Sequence, residues 1–209
     1  MTGNQEKGGK KKTGGTTAAE AVAQLAQDPE FQRAQAERDA QLQARVREWR
    51  RAEQPAIEDL RRVGVEVETA WDLVNTSEPY PDALPILIKH LERGGYPDRV
   101  LEGMARAMAV KPAHEYWERL RDLYLRAEGR DEEEGLAVAL SASATPEHVD
   151  DLLNLLRDDS RGDSRILLLE TILKLGGKRG QEVIETLCSD PLLGREATAL
   201  TQRRSRRRR

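Results

Sequence analysis

One cysteine, one phenylalanine and no long apolar run leave several protein classes without the material to build on. Cys188 alone excludes an internal disulfide framework, a cysteine-based zinc knuckle and a thioredoxin-like pair, and a reducing compartment is expected. The longest apolar runs, such as Leu136 to Leu140, stop after five residues. A membrane-spanning helix needs roughly 20. The lysines near the start are followed by Thr, Gly and Ala, not by an apolar stretch, so no secretory signal is read and the expected location is cytoplasmic, without membrane attachment. Aromatics make up 4% of the 209 residues and hydrophobics 38%, against 34% charged, so the core must be thin and aliphatic.

Charge is near balance only as an average. The formal net charge is −3. Lys7, Lys10, Lys11 and Lys12 against Glu6 give the first 12 residues +3, and Arg203, Arg204 and Arg206 to Arg209 give the last seven +6. Residues 13–202 therefore carry −12, an acidic body between basic ends.

Residues 1–16 hold almost nothing apolar and read as a disordered basic leader. Residues 17–53 are rich in Ala, Gln, Glu and Arg and read as a charged helical segment, with Asp28-Pro29 as a start signal and a narrow stripe of Leu42, Val46 and Trp49. Residues 54–78 read as capping helices. One begins at Pro55 with Ile57, Leu60 and Val63 on one side and is stopped by Gly64; the next carries Val67, Ala70, Trp71 and Val74.

From residue 79 the chain repeats. Leu84, Leu87, Ile88 and Leu91 align with Trp117, Leu120 and Tyr124, with Val149, Leu152, Leu153 and Leu156, and with Gly180, Val183, Ile184 and Leu187, at steps of 33, 32 and 31 residues. Between them lies a second set: Val100, Leu101, Met104 and Met108; Leu136, Ala139 and Leu140; Ile166, Leu169, Ile172 and Leu173; Ala197 and Leu200. Each unit is thus a helix hairpin, over about 79–111, 112–144, 145–177 and 178–202, and 203–209 forms an Arg-rich tail read as disordered. A period in the low thirties with two helices per unit is the mark of a helical repeat array.

The unit 145–177, TPEHVDDLLNLLRDDSRGDSRILLLETILKLGG, resembles a HEAT repeat: an early Pro, a Leu-rich first helix, an Asp-bearing turn and an Arg opening the second helix. Residues 80–111 are similar, with Asp98-Arg99 in the corresponding place; the second unit departs, with Asp131-Glu132-Glu133 there. More loosely, Trp71 to Asn75, Pro79-Tyr80 and Pro97 to Arg99 resemble small bacterial HEAT-repeat proteins of unassigned function. The resemblance implies an all-α fold, a short α-solenoid, acting as a binding scaffold for another protein. In such arrays the second helices line the concave face, which would present Arg99, Glu102, Arg106, Glu133, Arg165, Glu170 and Arg195, with Trp71 and Tyr80 at the N-terminal edge. Arg99 and Arg165 have a competing structural role, pairing with acidic residues of neighbouring units. Trp71 has one too, as part of a cap over the first apolar face.

No catalytic set is legible. His90, His114 and His148 have no i, i+4 partner, and Asp158, Asp159 and Asp163 lack the alternation of a calcium loop and read as a capping turn. Cys188 reads as packing. An enzymatic role on this scaffold, such as a lyase or glycosylase, is therefore not expected, and neither is a metal or cofactor. The expected function is a non-enzymatic protein-protein interaction scaffold of undetermined oligomeric state. The alternative is a nucleic-acid-associated accessory protein whose Arg203, Arg204, Arg206, Arg207, Arg208 and Arg209 neutralise phosphates, which the acidic body disfavours.

Overall fold

The described part of the computed structural model, Thr17, Ala26 and residues 28–207, is all-helical, with ten α-helices, five 3₁₀ segments and no strand among those residues. The leader 1–16 and Arg208 and Arg209 lie outside it. The chain divides into two compact units, 1–47 and 48–209.

In the first unit, helix α1 (Pro29–Arg62) starts at Asp28, whose carboxylate accepts the N–H of Glu30 at 2.9 Å, and Leu42 on it is 55% exposed. The helix continues into the second unit through Pro55, where the sequence predicts a break. A proline inside a helix removes one hydrogen bond and costs about 3 kcal/mol. It is tolerated because Pro55 and Arg51, whose carbonyl loses its partner, are exposed, while Glu53, Ala56, Ile57 and Leu60 on the opposite side are buried. The helix ends before Gly64, whose φ of +85° is open to a residue without a Cβ.

Helix α2 (Ala70–Val74) is one short turn capped reciprocally by Thr69 and Asp72. Four hairpins follow: α3 (Leu84–Arg93) with α4 (Asp98–Ala107), α5 (Trp117–Arg126) with α6 (Arg130–Ser143), α7 (Val149–Arg157) with α8 (Leu169–Leu175), and α9 (Gly177–Thr186) with α10 (Gly194–Arg207). The stripes predict these helices because Leu, Ala and Ile at i, i+3 and i+4 share one side, and those residues are the buried ones. The core is aliphatic, with Trp117 and Tyr124 its only buried aromatics among the described residues.

Packing follows chain order. Each helix meets its hairpin partner, and the second helices form a row: α2 on α4, α4 on α6, α6 on the 3₁₀ segment Asp159–Leu168 that leads into α8, and α8 on α10. The approach of α4 to α6 is close because a Cβ on Gly135 would stand 2.9 Å from the Glu102 carbonyl oxygen. Polar contacts also advance by about one repeat. Asp131 N–H donates to Asp98, Lys111 to the Ala144 carbonyl, Trp117 to Asp151 and Arg130 to Asp163, at sequence separations of 33, 33, 34 and 33.

Three elements depart from the sequence pattern. The second helix of the third unit is mostly 3₁₀, kinked at Gly162 (φ +49°), because Asp158 turns the chain by accepting both the N–H and the hydroxyl of Ser160. Residues 203–207 belong to helix α10 and not to a free tail, since arginine is a good helix former and buried Ala197 and Leu200 anchor the preceding turns. Cys188 is exposed, not packed, because it falls in the 3₁₀ turn Leu187–Ser189 beyond the end of α9.

Candidate docking groove

Along the row of second helices three hollows join. The first, of about 570 Å³, lies between the 73–81 segment and α4, walled by Leu73, Val74, Tyr80 and Leu84 on one side and by Arg106, Ala109, Val110 and Val138 on the other. The second, of about 540 Å³, shares Ala109 and Val138 with it and continues past Lys111, Ser141 and Leu167 to Glu170, Lys174 and Leu175. The third, of about 340 Å³, shares Glu170 and Lys174 and ends at Leu200, Arg203 and Arg204. The floor is half-exposed aliphatic surface: Val74, Val110, Val138 and Leu175, with Leu167 at 37% exposure. An apolar groove with convergent charges is the usual form of a ligand or peptide site.

Tyr80 stands in the wall with its hydroxyl donating to the Ala107 carbonyl at 3.0 Å, and burial pushes its pKa up. Arg106 lines the first hollow and donates from Nε to Glu102 at 2.7 Å; Arg99 pairs with the same carboxylate. Two guanidinium groups thus share one buried carboxylate, and the Asp131 carboxylate faces the same cluster. Glu170 is in the groove and pairs with Lys174 at 2.8 Å. Arg195 is exposed in the first turn of α10.

Two candidates are internal and cannot meet a partner as the sequence reading had them. Glu102 is 4% exposed beneath its two arginines. Arg165 is 5% exposed and holds its own unit together, donating to the carbonyls of Leu156 and Gly162 and pairing with Asp159. Arg99 and Arg165 make no salt bridge to a neighbouring unit, although the charge of each acts on a carboxylate of the next, Asp131 and Asp190 respectively. Salt bridges between units include those of Arg119 to Glu92, Arg121 to Asp151, Arg130 to Asp163 and that of Arg161, whose Nη1 reaches the Tyr124 and Ala127 carbonyls and Glu133, which is thereby engaged at 3.3 Å. Arg99 instead lies 4.2 Å over the ring of Trp71, whose indole rests on Gly103, where a Cβ would come within 2.7 Å of Nε1. Trp71 thereby covers α4 between Arg99 and Gly103.

Arg203 reaches Glu196 at 3.7 Å, and Arg204 donates to the Leu173 carbonyl at 3.2 Å; Arg206 is exposed and Arg207 closes the helix. Sequence reasoning missed Lys111, Val138, Leu167 and Lys174. The signal for them is an apolar or basic residue beside each buried stripe on successive second helices, visible once the period is known.

Two polar clusters lie elsewhere. His90, 1% exposed, donates from Nε2 to Asp59 at 3.0 Å and faces the Tyr96 hydroxyl through Nδ1 at 2.6 Å. Burial raises the Tyr96 pKa, so its hydroxyl stays protonated and donates to the imidazole. Hydrogen bonds from Lys89 and His90 hold the Asp59 pKa below the ordinary carboxylate range. This chain ties α1 to α3, and its imidazole is sealed from solvent. Trp117 stacks on His148 at 4.0 Å with the rings parallel and donates to Asp151 at 3.0 Å. Among the described residues no three His, Cys, Asp or Glu side chains are grouped to hold a metal ion, and no helix is long and apolar enough to cross a membrane.

Compared with known protein families, curated proteins and solved structures, the chain matches none.

Proposed function

We propose that the chain is a non-enzymatic protein-interaction scaffold, a short HEAT-like α-solenoid of four hairpins that holds a partner protein in its second-helix groove. Contacts that recur one repeat apart and helices that pack on their neighbours in chain order support the solenoid reading. The observation that carries the docking role is the continuity of the three hollows, through shared residues, over a floor of half-exposed aliphatic side chains. The free, exposed Cys188 suits a reducing compartment, and so a cytoplasmic protein.

Nucleic-acid binding through the C-terminal arginines draws less support, because Arg203 and Arg204 are already engaged with Glu196 and the Leu173 carbonyl. Affinity capture with the full chain tests the docking role. Val138→Asp places a charge on the groove floor and should lose partners that Arg179→Ala, away from the groove, retains. Capture of the same set by Val138→Asp, with its melting transition intact, contradicts it.

A further inference from the structure

The charge of the groove is opposite to that of the body around it, and this identifies the chemistry of its occupant. Arg106, Lys111, Lys174, Arg203 and Arg204 line the three hollows, against Glu78 and Glu170, and with Glu102 and Glu196, which pair with Arg106 and Arg203, counted in, the strip keeps one positive charge. Residues 13–202 as a whole carry −12. An anionic partner is therefore repelled over most of the surface and drawn to this strip. Beyond the 76–81 turn the sign reverses: a hollow of about 500 Å³ is lined by Glu66, Asp72, Glu78 and Asp82 and by no base.

We propose that the groove binds an acidic amphipathic peptide helix, its apolar stripe on Val110, Val138 and Leu167 and its carboxylates over Arg106, Lys111 and Lys174. The proposal rests on the docking role above and adds the partner's chemistry. The floor requires an apolar face, which a phosphate backbone does not offer, and the hollow beside Arg106 is large enough for a bulky aliphatic or aromatic anchor. Arg106, in the wall of that hollow, gives the anchor a neighbouring charged donor. Single-stranded nucleic acid would need a series of stacking aromatics. Tyr80 is the only aromatic in the lining of these hollows, and its hydroxyl is tied to the Ala107 carbonyl. The end of the peptide over Glu66, Asp72 and Asp82 carries no acid.

Fluorescence anisotropy with the full chain tests this, using a labelled Leu/Glu amphipathic peptide of about 18 residues, or five turns, its Leu/Lys counterpart and an oligouridylate. The acidic peptide should bind at least about tenfold tighter than the other two, and more weakly as salt rises. Lys111→Glu with Lys174→Glu should weaken it by about tenfold or more and improve the Leu/Lys peptide. Val138→Asp should abolish binding while leaving every terminal arginine in place, which separates the groove from the tail. If the Leu/Lys peptide binds as well as the acidic one and Val138→Asp abolishes both, the charge assignment falls and the docking role survives. If binding of peptide or oligouridylate persists in Val138→Asp, or no probe binds, both fall.

Discussion

Asp98 caps a helix that begins 32 residues after it, filling the space left by Gly129. Its carboxylate accepts the N–H groups of Asp131 at 3.0 Å and Glu132 at 2.8 Å, the free donors of the first turn of α6, whose own N-cap residue has no side chain. A Cβ on Gly129 would overlap that carboxylate. One unit thus supplies the cap of the next, at a separation equal to the repeat. Burial, then the Asp98 charge, raises the pKa of Glu132 beside it.

Gly129→Ala should therefore destabilise the fold by about 1–3 kcal/mol, although its φ of −84° suits any residue, because it evicts the cap. Asp98→Ala should cost about 1 kcal/mol. The two losses should not add, since both remove the same interaction. Chemical denaturation of the single and double variants measures this.

Much of the hairpin plan was legible because the core is built from Leu, Ala and Ile at helical spacing, as in Leu84, Leu87, Ile88 and Leu91, or Leu152, Leu153 and Leu156. What could not be read depends on contacts a full repeat apart. The passage of α1 through Pro55 is decided by burial of Ile57 and Leu60, which overrides local propensity. Arg161, in the 3₁₀ segment, hydrogen-bonds across units, while Arg165, where the pattern placed the bridge, makes its hydrogen bonds inside its own unit and reaches Asp190 of the next only through its charge. The groove was legible in part: Tyr80, Arg106 and Glu170 line it, but Glu102 is buried beneath Arg99 and Arg106, whose i−3 and i+4 spacing on one helix could have shown the pairing.

Pro55→Ala should stabilise the protein. The residue is exposed within a continuous helix, so alanine restores a backbone donor to the Arg51 carbonyl. The gain should be about 1–3 kcal/mol, read as a rise in melting temperature with helical content unchanged. A loss of stability would show that the helix needs the proline.

Tyr124 and Ser164 form a buried relay. Ser164 donates its one hydroxyl proton to the Arg161 carbonyl at 2.7 Å, so Tyr124 must be the donor to Ser164, also at 2.7 Å. Burial pushes the Tyr124 pKa up to about 12. A raised phenol stabilises the fold below the unfolded value, and that contribution is lost as pH climbs from the ordinary tyrosine range toward about 12. Tyr124→Phe should cost about 1 kcal/mol at neutral pH and flatten the alkaline loss. Urea melts at neutral and alkaline pH check both.

His148 brings a dependence on the acid side. Its Nδ1 accepts the Thr145 N–H at 3.1 Å, its ring stacks on Trp117, and burial lowers its pKa. A depressed histidine contributes stability above the unfolded value that is lost as pH falls through the folded one. Stability should therefore decline below the ordinary histidine range, and His148→Gln, which cannot be protonated, should remove that part of the slope. An unchanged slope in the variant would place the acid response elsewhere.

Methyl NMR of the full chain, titrated with the Leu/Glu peptide, tests the docking groove most directly. Val110, Val138, Leu167 and Leu175 should shift together and saturate at one concentration, while the core methyls of Leu152 and Leu156 stay still. Shifts confined to α10 beyond Leu200, or spread over the first helices with Val138 unmoved, would contradict a partner seated on the second-helix row.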